Sequence, residues 1–221
     1  MGQVWDGITQ SGTVSEGGTA IRHQLADAAK IYDWPTVLGI LREHPALINT
    51  TRPGGSSLFA PLHQAAHGNA PDAVCEELVR LGAWRMLQNA RGERAVDVAE
   101  RCGNTRAVAA LRPVLRRRVP AGVLATIQAH FHDVIRGRAA DLVDRARLRL
   151  PELAPLLEMP AGEEPIWFAV PGMYGGFAHE LRSDGVDALL ISTSWSRVVG
   201  GSGQRHEITS SGSRLVEEGF V

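Results

Sequence analysis

Hydrophobic positions along this chain change their period partway through. From about Thr19 to Arg118 apolar residues recur at helical spacing, broken by short glycine-bearing stretches. Val37, Leu38, Ile40 and Leu41 make one buried stripe, and Val74, Leu78, Val79 and Leu81 make the next. Ala107, Val108 and Leu111 repeat the scheme. A second helical stretch runs from about Gly122 to Glu158, with Val123, Leu124, Ile127, Phe131, Val134 and Ile135 on one face. After Pro165 the pattern becomes short β-rich runs: 166–170, 174–181, 188–199, 205–209 and 214–220. Asp184-Gly185 is a hairpin signal, and the later gaps are short, so the order predicts an antiparallel meander. Residues 1–19 are rich in Gly, Ser and Thr and read as a mobile arm, though Trp5 and Ile8 are apolar enough to dock. Arg116, Arg117 and Arg118, followed by Pro120, mark a domain boundary. Helices followed by strands predict an α+β fold: an arm at 1–19, a helical domain at 20–118, and an α+β domain at 119–221 with helices packed on a curved antiparallel sheet.

The helical half repeats itself. Ala60-Pro61-Leu62-His63-Gln64-Ala65-Ala66 is followed 34 positions on by Arg94-Ala95-Val96-Asp97-Val98-Ala99. Gly68-Asn69 recurs as Gly103-Asn104, and Ala28-Ala29 precedes Ala65-Ala66 by 37 positions. On these residues the segment 20–118 resembles the ankyrin repeat family, whose unit is about 33 residues long with a T-P-L-H-x-A start. Three units fall near 20–49, 58–89 and 92–118. The resemblance implies a short helical repeat stack that serves as a binding scaffold and is seldom catalytic. It also implies that His63 is structural, bonding backbone between adjacent loops. The chain departs from the family at Ala60, where Thr is preferred, and in its longer loop from Asn49 to Ala60. Trp84 and Met86 stand where the family usually has polar residues.

Composition narrows the function classes. The chain has 221 residues, 44% hydrophobic and 21% charged, as in an ordinary globular protein. No apolar run approaches the roughly 18 residues of a membrane span, and no leader pattern opens the chain. A net charge of −1 offers no basic face for nucleic acid. Cys75 and Cys102 are too few for a disulfide framework, which favours a reducing cytoplasm and inert buried thiols. No spacing suits a metal, a P-loop or a dinucleotide, so neither metal nor cofactor is expected. Gly200-Gly201-Ser202-Gly203 reads as a flexible hairpin rather than a phosphate cradle.

Two functions follow. The leading one is a cytoplasmic binding protein that holds a protein partner by its loop tips, around 52–59 and 84–93. Trp84, Arg85 and Met86 are the expected contacts, since aromatic residues dominate interface hot spots; the plainer role for Trp84 is packing. The alternative is a small metal-independent lyase, isomerase or cyclase with a pocket for a small molecule in the second domain. There His130 or His179 moves a proton, Tyr174 and Arg197 position the substrate, and Trp195 forms an apolar wall. The plainer account makes His130 a core-edge residue, Trp195 a packing residue and Arg197 a rim charge. His132 falls nearly opposite the apolar stripe and shares no helical face with His130, which makes them a poor metal pair.

Overall fold

A computed structural model describes residues 2–197 and 201–219. The chain is α+β, with seven α-helices and a six-stranded mixed sheet among the described residues. It forms two compact units. One is Ile8–Val114; the other joins the N-terminal residues through Gly7 to the chain from Leu115 onward.

The first unit holds three successive helix pairs. They are α1 (Glu16–Lys30) with α2 (Trp34–Glu43), α3 (Pro61–His67) with α4 (Asp72–Arg80), and α5 (Ala95–Arg101) with α6 (Val108–Leu111). Helix α3 packs between α1 and α5. Alanines 28, 29, 65, 66, 95 and 99 are buried, and their small side chains permit that close approach. The second helices contribute Val37, Leu41, Cys75, Leu78 and Leu111 to the same core. Burial pushes the Cys75 thiol up to about 12, so it stays protonated and inert. Starts are fixed locally. Ser15 Oγ accepts from the Gly18 amide at 3.1 Å, and Asp33 Oδ1 accepts from the Thr36 amide at 3.2 Å.

The second unit is a sheet with one long helix, α7 (Ala121–Ala146), which contacts β2, β5 and β6. Strands β2 (Ile166–Val170), β3 (Gly175–Ser183), β4 (Leu189–Ser196), β5 (Ser202–Thr209) and β6 (Gly212–Glu218) form the antiparallel meander. Leu124, Ile127, Phe131, Ile135 and Val143 of α7 are buried, as are Phe168, Phe177, Leu181, Leu190 and Ile208 of the sheet. Helix α7 departs from helical geometry at Ala139, where φ is −144°. The expected strand ends at Val198, Val199 and Phe220, the start of the glycine-rich hairpin at Gly200, and Val221 lie outside the described residues.

The N-terminal segment corrects the expectation of a mobile arm. Val4–Trp5 is a strand, β1, that runs parallel to β2 and makes the sheet mixed. Trp5 is buried, its Nε1 donates to the Arg149 carbonyl at 2.8 Å, and the Arg149 guanidinium lies 5.2 Å from its ring centre. Burial of one tryptophan outweighs the low strand propensity of its Gly-rich flanks. Arg117, read as part of a boundary, is also buried. It donates through Nε to Asp184 Oδ1 at 2.7 Å, so the hairpin aspartate anchors the linker as well as making the turn.

Candidate functional site

In the first unit the sequence motif around His63 organises two loops. Phe59, His63 and His67 follow one another at a spacing of four, Phe59 just before α3, His63 buried within it and His67 exposed at its end. The Ala60 amide donates to His63 Nδ1 at 3.3 Å, which leaves the ring proton on Nε2 to donate to the Glu93 carbonyl at 3.2 Å. Asn89 ties the same loop from the other side, its Oδ1 accepting from the amides of Arg91 at 2.7 Å and Glu93 at 3.1 Å. The Ala90 amide donates to the Ser57 carbonyl at 3.0 Å and joins the two loops. Between them lies a cavity of about 350 Å³, walled by Ser57, Phe59, His67, Ala90, Arg91 and Arg101 among others. Arg101 pairs with Glu93 at 2.6 Å and holds that carboxyl below the usual carboxylate range. His67 Nδ1 bonds the Tyr32 hydroxyl at 2.9 Å.

Trp84, Arg85 and Met86 do not project from this face. Trp84 is 4% exposed, and Arg85 and Met86 are half-buried. The Trp84 amide donates to Asn49 Oδ1 at 3.0 Å, while Asn49 Nδ2 donates to the Gly82 carbonyl at 3.0 Å. Arg85 Nε donates to the Ala110 carbonyl at 2.7 Å. Asn49, 35 residues upstream, thus fixes the tryptophan's backbone, a link that no local pattern reveals.

In the second unit the five expected pocket residues do not converge. Register decides this. His179 of β3 lies opposite Ser192 of β4, whereas Trp195 lies opposite Gly176, so His179 and Trp195 sit on opposite faces of the sheet. Trp195 instead stacks on Trp167 with ring centres 4.3 Å apart. Tyr174 is 77% exposed in the β2–β3 turn, and Arg197 is exposed beyond the end of β4. His130 is half-buried on α7, with Nδ1 donating to the Thr209 carbonyl at 3.0 Å. His179 is fully buried beside Phe131, with ring centres 4.9 Å apart, and neither ring nitrogen has a partner among the described residues. Burial first, then the neighbouring His132, pushes its pKa down to about 3, so it is neutral at pH 7. His132 in turn donates from Nε2 to the Pro151 carbonyl at 2.8 Å, and burial lowers its pKa as well.

A different cleft exists in this unit. Asp133, Gly137 and Arg138 of α7 face Gln204 and His206 of β5 and Ser213 of β6 across about 340 Å³. Alternation along β5 places 204, 206 and 208 on one face, and that parity is readable in the sequence. The matching half of the cleft comes from Asp133, Val134, Gly137 and Arg138 of α7. Among the described residues no group of three or more His, Cys, Asp or Glu side chains is placed to hold a metal ion. No helix among them is long and apolar enough to cross a membrane.

No protein-family model matches the chain, and no curated protein matches it. Among solved structures, a predatory endopeptidase of Bdellovibrio bacteriovorus in complex with an immunity protein is similar at a TM-score of 0.33 and 28% identity, over 39% of this chain. The match spans 42% of that chain, and a likeness this slight carries no argument about fold or function.

Proposed function

We propose that this chain is an ankyrin-type repeat protein that binds a protein partner through the loop face of its helical unit. The observation that carries the reading is the cavity of about 350 Å³ at the junction of loops 52–59 and 84–93. The three helix pairs, and the bridge from His63 to the next loop, support the repeat assignment. The cavity wall carries Arg91, Arg101 and Glu93, an excess of one positive charge, which suits an acidic segment of the partner. Contact is reassigned from Trp84 to the cavity, with Arg91 as the exposed charge that a partner meets. The same reading places the protein in the cytoplasm, where Cys75 and Cys102 stay as free thiols.

The catalytic alternative draws no support from His130, His179, Tyr174 and Arg197, because they do not share one concave surface. Native mass spectrometry of the protein isolated gently from its own cells tests the binding reading. A co-purifying polypeptide is expected with the native chain and lost with Arg91→Glu at unchanged melting temperature. A polypeptide retained by Arg91→Glu would remove the cavity from the account.

A further inference from the structure

The cleft of the sheet unit has buried polar groups that nothing among the described residues satisfies. Ser192 and Ser194, each 1% exposed, lie opposite His206 and Gln204 in the β4–β5 register and share their face. Their Oγ atoms, His206 Nδ1 and Arg138 Nε are all buried without a hydrogen-bond partner among the described residues, and Arg138 and His206 line the cleft. Unpaired buried polar groups are destabilising, and two of them on residues lining one cavity are a ligand's inverse image. Arg138 is held in place from its other end, where Nη2 donates to Ser202 Oγ at 2.9 Å and to the Ser202 carbonyl. Gly137 stands in mid-helix, where glycine is a poor choice. A Cβ there would meet no atom within 4 Å, so no steric conflict calls for glycine and its missing side chain leaves the cleft open. The register shift between Arg205 and His206 adds an extra residue to β6 beside the cleft, as bulges do near binding sites.

We propose that this cleft binds a small organic carboxylate, seated against Arg138 and His206, with a hydroxyl or amino group of the same molecule facing Asp133. A carboxylate only accepts hydrogen bonds, and the cleft offers the Arg138 guanidinium N–H and the His206 imidazole N–H to donate them. The rim carries the opposite chemistry. Asp133 is exposed there, and Glu218 acts electrostatically on Arg138 and His206 while accepting from Gln204 Nε2 at 2.7 Å. Two nearby carboxylates favour a ligand with a single negative charge and disfavour a phosphate dianion. This site is independent of the loop cavity of the helical unit.

The test is a titration of the isotope-labelled full chain with lactate, and separately with inorganic phosphate, read by amide NMR shifts. Lactate should give saturable shifts at residues 133–138 and 204–206, with phosphate weaker. Gly137→Leu fills the cleft with a better helix former and should abolish the response while the fold persists. Arg138→Gln should weaken it at least about tenfold; if that variant does not fold, Gly137→Leu decides. No saturable response to lactate, tighter binding of phosphate, or a lactate response that survives Gly137→Leu each overturns the proposal.

Discussion

Two histidines, both almost wholly buried, show how much a single side chain's partners matter. His63 is satisfied at both ring nitrogens, by the Ala60 amide and the Glu93 carbonyl. Its replacement by Ala strands both backbone groups and should cost about 1–3 kcal/mol in chemical denaturation. His179 has no hydrogen-bond partner among the described residues and is held neutral by burial. Its folded pKa of about 3 lies below the ordinary histidine value of 6.5. Below that higher value the unfolded chain binds the extra proton, so stability is full above it and falls as the pH drops toward the folded value. The slope reaches about 1.4 kcal/mol per pH unit in that window. His179→Leu keeps the volume and removes the unpaired nitrogens; the sheet unit should melt no earlier at pH 7 and lose much of its acid sensitivity. An unchanged acid profile in that variant would show that other groups set it. His63 was open to reading because its motif is local. His179 was open only in part, because residue type and strand gave its burial no partner to weigh.

At the scale of elements, the strands were readable and their relative phase was not. Alternation within β3 puts Phe177, His179 and Leu181 on one face, and within β4 puts Thr193 and Trp195 on one face, as found. Which face of β4 meets which face of β3 is set by register, and the register depends on the path through Asp184-Gly185. An odd residue of β3 opposes an even residue of β4, so the expected pocket came apart. The Gly175-Gly176 pair marks the real pattern. A Cβ on Gly176 would lie 2.1 Å from the Phe168 carbonyl oxygen and 2.9 Å from the Trp167 ring, and one on Gly175 would lie 2.0 Å from the Trp195 carbonyl oxygen. Strand β3 needs glycine there so that Trp167 and Trp195 can stack across it. Gly176→Ala should destabilise the sheet unit by about 1–3 kcal/mol or more, because backbone rather than a flexible side chain must move. Near-ultraviolet circular dichroism of the tryptophan pair, followed through denaturant, measures this; a wild-type midpoint in the variant would contradict the close approach.

At the scale of the whole molecule, the chain does not divide at one point. Residues up to Gly7 belong with the sheet unit, where β1 pairs with β2 and Trp5 is buried. That arrangement was hidden because two strand residues among Gly, Ser and Thr give no periodic signal. Trp5→Ala should therefore lower the stability of the sheet unit by about 3–5 kcal/mol and leave the helical unit unchanged. Hydrogen exchange resolved by residue separates the two; loss of protection in the helical unit instead would contradict the assignment. The α+β order, the helical half and the meander were all within reach of periodicity. The sites were not, because each cavity is closed by residues brought together over long sequence separations: Ser57 with Ala90 in one unit, Arg138 with Ser202 in the other. The loop cavity of the helical unit is proposed to hold a protein partner. The most direct measurement places a photo-crosslinking residue at exposed Ala90, with a second at exposed Val186 as reference, in the full chain in its own cells. The account predicts one polypeptide captured from position 90, lost with Arg91→Glu, and not captured from position 186. Capture from 186 alone, or equal capture from both that ignores Arg91→Glu, would contradict it.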